Sequence, residues 1–159
     1  MLKHGLAVLL ASAALAARAE STAPPAIAWE IQVVRDGQTI DTFQQTTTVG
    51  QARTDTHHYP SAQPVGCGEA ARVVATERTR SVTVAPLAAD SGAVSLALDV
   101  QETMDDPASA GSDPCVPGSP RQIVASHPGL AVGADWTDWT LVEQHPRLVY
   151  RVRAHIAKD

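Results

Sequence analysis

The sequence predicts an all-β domain: an antiparallel sandwich or barrel-like sheet of about seven to eight strands, with one disulfide. Three observations carry this. Apolar residues recur at every second position, most cleanly in "VSLALDVQE", where Val94, Leu96, Leu98 and Val100 share one face while Ser95, Asp99 and Gln101 share the other. Glycine, proline and aspartate clusters interrupt these runs at short intervals. Outside the extreme N-terminus, no window of helical length has apolar residues spaced by three and four.

The elements follow in order. Residues 20–26, "ESTAPPA", read as a flexible lead-in to a single β-rich domain spanning 27–159. "IAWEIQVV" places Ile27, Trp29, Ile31 and Val33 on one side of a strand, and Asp36-Gly37 supplies the positive backbone angles of a tight hairpin turn. "TIDTFQQTTTV" is the returning strand. From Gln51 to Ala70 the alternation is lost, and the stretch reads as a polar crossover loop with two prolines and two glycines. Strand pattern returns in "ARVVATERTRSVTVAP" and again in "VSLALDVQE". Residues 103–120 carry four prolines and read as irregular. "RQIVASH" is a short strand, "PGLAVGAD" a bend and "WTDWTLVEQ" a further strand. "LVYRVRAHI" then puts Leu148, Tyr150, Val152, Ala154 and Ile156 opposite Arg151, Arg153 and His155.

The N-terminus points to export. Lys3 and His4 precede an apolar run of about 13 residues ending in Ala17-Arg18-Ala19, the pattern of a cleaved signal peptide over residues 1–19. The run is short of the roughly 20 residues that cross a bilayer as a helix, so the expected product is exported to the periplasm or beyond and does not span the membrane. Of 159 residues, 140 remain after residue 19, enough for one core-forming domain. Without Lys3 and Arg18, 10 basic side chains face 17 acidic ones, a formal charge of −7. Nucleic acid is therefore not an expected partner, because that binding rests on clustered lysine and arginine. Cys67 and Cys115 are the only cysteines, and in an oxidising compartment they pair most simply with each other. The closed loop of nearly 50 residues would contribute at most about 4 kcal/mol in the chain-entropy model.

The most chemical-looking stretch is "RTDTHHYP". Adjacent side chains of an extended chain point to opposite faces, so His57 and His58 cannot easily grip one ion, and no HExxH or CxxC completes a ligand set. Asp55 and His57 share a face and would supply two metal ligands or an acid–base pair, but no second HxH completes the ligands and no GxSxG or SxxK nucleophile signature accompanies them. Asp105, Asp106 and Asp113 lack the spacing of an EF-hand. "DWTDW" sets Trp136 and Trp139 three apart, which puts one in the core and the other at the surface. The arginines of the last strand read as a solvated face, with pairing to Glu30, Asp99 or Glu143, or an anion-binding stripe, as the alternatives.

From residue 80 to 142 the order of pieces resembles the β-rich core of bacterial outer-membrane secretins. "RSVTVAPL" is similar to a strand there that ends in V-x-P, and "GAVSLALDVQE" to the next strand. "RQIVASHPGLAVGADWTDWTLV" is similar to the region carrying the R-x-x-x-T strand. The paired-glycine ending of that family is absent, so the resemblance implies a secretin-like module without the pore.

Together these readings give an exported, non-catalytic binding or structural protein, an accessory of a bacterial envelope or secretion assembly whose partner is an envelope protein. The expected binding surface comprises Trp136, Trp139, His57 and His58, with no catalytic residue, metal or cofactor. The alternatives are a small secreted hydrolase using the loop around His57 and a carbohydrate-binding module using an exposed tryptophan.

Overall fold

The computed structural model describes residues 23–90, 92–105, 115 and 118–158. The signal-peptide reading and most of the proline-rich segment, Asp106 and Asp113 included, lie outside them. Two four-stranded antiparallel sheets form a sandwich. One, here sheet A, has the order β2-β1-β8-β7, and sheet B has β3-β4-β5-β6. The strands are β1 (Ala26–Arg35), β2 (Gln38–Thr48), β3 (Arg53–Val65), β4 (Arg72–Asp90), β5 (Ala93–Asp105), β6 (Pro120–Val132), β7 (Thr137–Val142) and β8 (Leu148–Ile156).

The opening hairpin turns at Asp36 and Gly37, both with positive φ (48° and 85°), as the Asp-Gly pair predicts. Alternation then sorts the faces. Ile27, Trp29, Ile31 and Val33 of β1, Val82 and Val84 of β4, Val94, Leu96, Leu98 and Val100 of β5, and Tyr150, Val152 and Ala154 of β8 are all buried between the sheets. Trp29 also donates its indole N–H to Thr47 on β2, at 3.0 Å, which satisfies the one polar atom the ring carries inside.

Two sequence expectations are corrected. The stretch read as a crossover loop is largely strand: β3 pairs with β4 from Arg53↔Val84 to Val65↔Arg72, and only Gly68–Ala70 forms a short 3-10 turn. Proline is tolerated because β3 is an edge strand. Pro60 and Pro64 are four residues apart in the ladder, so both nitrogens, which lack hydrogen, fall on the side away from β4. The bend expected at "PGLAVGAD" lies mostly within β6, which runs on through Pro128 and Gly129 to Val132. The two residues appear there as a register break opposite Leu96 and Leu98.

Cys67 and Cys115 form the expected disulfide, with Cα atoms 5.1 Å apart. Gly66 adds a backbone hydrogen bond to the Cys115 carbonyl at 3.2 Å. The bond therefore anchors the far end of the β3–β4 ribbon to the segment after β5. Among the described residues no helix is long and apolar enough to cross a membrane.

Candidate functional site: a charged row and its corner pocket

Register explains the most unusual feature of the interior. Across sheet B, His57 pairs with Arg80 and Arg80 with Glu102. Across sheet A, Asp41 pairs with Val33, Val33 with Tyr150, and Tyr150 with Trp139. These two rows face each other, and their polar members meet in the middle of the sandwich. The Arg80 guanidinium binds Glu102 through two N–H donors, with Nε to Oε2 at 2.8 Å, and donates a third bond to Asp41 at 2.7 Å. The Tyr150 hydroxyl donates to Glu102 at 2.8 Å. His57 Nδ1 lies 2.9 Å from the other Asp41 oxygen, and its ring stacks on Phe43 with centroids 4.1 Å apart.

Glu102 and Arg80 are almost wholly excluded from solvent, with side-chain exposures of 0% and 3%. Buried ions are tolerated only when paired and hydrogen-bonded on every side, and this pair is. Burial pushes the Asp41 carboxyl up, but the bonds from Arg80, His57 and the Thr42 N–H outweigh it and hold the group below the usual aspartate range. Burial, reinforced by Glu102, drives the Tyr150 hydroxyl well above the ordinary phenol range, so it stays a proton donor. A second centre follows toward the disulfide. Asp105 accepts from Ser61, Gln63 and Arg78, and these bonds outweigh desolvation to lower its pKa.

The row opens to solvent at one corner, where edge strands β2 and β3 meet the first hairpin. A pocket of about 370 Å³ is lined there by Arg35, Ile40, Asp41, His57, His58, Tyr59 and Arg80. A larger groove, about 580 Å³, runs over the outer face of sheet A beside Glu30, Gln44, Thr46, Arg153 and His155.

The residues singled out in the sequence separate accordingly. His57 and His58 diverge: the first turns inward to Asp41, while the second faces out to Glu77 at 2.8 Å. The expected Asp55–His57 pair is replaced by Asp41–His57, because Asp55 is met by Gln45 and Asp41 reaches the imidazole Nδ1. Asp41 and His57 resemble the orienting half of a catalytic triad, yet the pocket lining contains no serine, threonine or cysteine to serve as nucleophile. No group of three or more metal-ligating side chains occurs among the described residues. Trp139 packs edge-on against Tyr150 inside the sandwich. Trp136 sits on the outer side with the guanidinium carbons of Arg153 and Arg151 4.4 and 5.6 Å from its ring centre, so the sheet's own cations engage the ring. Of the expected partners for those arginines, Glu30 takes Arg153, while Arg151 goes to Asp138.

Arg35, Asp41, Tyr59, Arg80, Glu102 and Tyr150 escaped sequence reading as a functional group. A signal existed for two of them: Arg80 and Glu102 continue the inward alternation of Val84-Val82 and Leu98-Val100 by one more step each. Comparison with known proteins adds no relative: no family model, curated protein or solved structure matches the chain.

Proposed function

We propose that this is an exported, non-catalytic binding protein, an accessory of a bacterial envelope or secretion assembly, that holds an extended segment of an envelope partner by strand addition to β2. The observation that carries the reading is the contrast among the four sheet edges. β3 and β6 contain prolines and β7 has only 6 residues, whereas β2 has 11 residues, no proline, and a single charge, Asp41, turned inward. The Val49 N–H bonds the Pro25 carbonyl. Alternation from that bond ties Thr47, Gln45 and Phe43 to β1 and directs the backbone groups of Gln44 and Thr46 outward. Both also border the groove on sheet A, which offers room for side chains of an added strand. The signal-peptide pattern and the secretin-like order of strands support the compartment and the kind of assembly.

Gln44→Pro tests this, because it removes an outward donor without touching the ladder to β1. Mature protein should recover a partner from envelope extracts, and Gln44→Pro should lose it while keeping the wild-type circular dichroism and unfolding midpoint. Undiminished recovery by a folded Gln44→Pro variant would exclude strand addition at this edge.

A further inference from the structure

We propose that the corner pocket is a binding site for a single carboxylate group, with Arg35 as the anchoring cation. The two arginines that line it differ in what they have left to offer. Arg80 spends its donors on Glu102 and Asp41. Arg35 forms no ion pair among the described residues, and its Nε is buried without a hydrogen-bond partner. Arg35 as a whole is only partly buried and lines the pocket, so an anion there meets a guanidinium with which no carboxylate among the described residues forms an ion pair. The planar fork of the guanidinium fits both oxygens of a carboxylate.

Charge selects the class of anion. Arg80 is already matched by Glu102 and Asp41, which leaves Arg35 as the one lining cation without an ion pair among the described residues. A monoanion cancels it, whereas a dianion would meet the Asp41 carboxylate uncompensated. The walls fit an organic acid. Ile40 and the Tyr59 ring supply apolar surface for a short hydrocarbon stem, and the volume of about 370 Å³ lies at the small end of ligand pockets. The Tyr59 hydroxyl is committed to the Thr103 carbonyl and the Arg80 guanidinium lies over the ring, 5.0 Å from its centre, so Tyr59 offers the pocket ring carbon and not its donor. Such a carboxylate belongs either to a free short-chain acid or to the C-terminus of a peptide. The pocket shares Ile40 and Asp41 with β2 but not Gln44 or Thr46, the residues that carry strand addition, so a silent result here leaves that proposal untouched.

Butyrate, inorganic phosphate and a short acetylated peptide with either a free or an amidated C-terminus are titrated into the mature protein while the arginine Nε–H and backbone amide NMR signals are followed. Butyrate should move the Arg35 Nε–H and the amides of Ile40, His57 and Tyr59 saturably, and phosphate should bind more weakly. Arg35→Gln should weaken butyrate by about tenfold or more, consistent with loss of a charge-assisted pair, and Arg35→Lys should recover part of it. Tighter binding of the free-acid peptide than of butyrate would identify a chain terminus as the source, and the reverse a free acid; the amide should fail in both cases. Absence of saturable shifts at Arg35 would overturn the site, as would equal butyrate binding by a folded Arg35→Gln variant. Stronger binding of phosphate than of butyrate would overturn the assignment to a carboxylate.

Discussion

The two ends of the sandwich are built from the same strands but held together differently. At one end Ile27, Ile31, Val84, Leu96 and Val152 meet as an ordinary apolar core. At the other, the same inward faces of β2, β4, β5 and β8 deliver Asp41, Arg80, Glu102 and Tyr150 to one hydrogen-bonded row. β5 passes from one regime to the other in two steps, Leu98 and Val100 being apolar and Glu102 charged, each about 1% exposed. The comparison teaches that burial alone does not set the physics. An apolar position is stabilised by whatever fills it, whereas a charged position is stabilised only by its particular partners.

The sharpest way to break the comparison is on β5 itself. Glu102→Ala leaves Arg80 buried with only Asp41 and should cost about 3–5 kcal/mol, as for other broken buried pairs. Leu98→Ala should cost about 2–5 kcal/mol by opening a cavity. The double change Glu102→Leu with Arg80→Met should recover most of the loss, because it removes both charges together. Nothing equivalent rescues Leu98→Ala. Urea unfolding midpoints of the three variants against wild type check this, and a double variant as unstable as Glu102→Ala would show that the row contributes more than mutual neutralisation.

Next in size is the disulfide, which ties down the charged end. Cys67→Ser with Cys115→Ser should lower stability by about 2–4 kcal/mol at equilibrium. Hydrogen exchange should accelerate at the paired residues Gln63, Val65, Arg72 and Val74 before it does at Val82 or Leu96. Uniform acceleration over both sheets would deny that the bond acts on one end.

Acid sharpens the contrast further. Asp41 and Asp105 both have folded pKa values below the ordinary aspartate value of 3.8. The unfolded chain therefore takes up these protons first. Their stabilisation is complete above that value and is lost as pH falls through it toward the lowered folded values. Stability compared at about pH 6 and about pH 3 should fall less steeply with acid in Asp41→Asn than in wild type. Equal slopes would mean that Asp41 contributes no linkage. The smallest effect belongs to the outer face: Asp138→Ala should change stability by less than about 1 kcal/mol, because its pair with Arg151 is exposed.

Legibility in the sequence follows the same division. The strands with apolar inward faces were readable because alternation measures hydrophobicity. β3 was not, since its inward positions are Asp55, His57, Tyr59, Ser61 and Gln63, whose burial is made acceptable by partners remote in sequence such as Asp41 and Asp105. The divergence of His57 and His58 was legible from strand geometry alone, but the identity of each partner was not.

What the sequence by itself determined is local: an all-β chain, the Asp36-Gly37 hairpin, the inward faces of β1, β5 and β8, and the pairing of its only two cysteines. These follow from backbone sterics, period-two alternation and elimination. Only the tertiary structure decided which strands became edges, that a polar segment completes sheet B, and that Asp41, Arg80, Glu102 and Tyr150 converge while Arg35 is left unpaired. Those outcomes depend on strand order and on the register of one sheet over the other, and residues up to 109 positions apart along the chain, Asp41 and Tyr150, enter one row only through them.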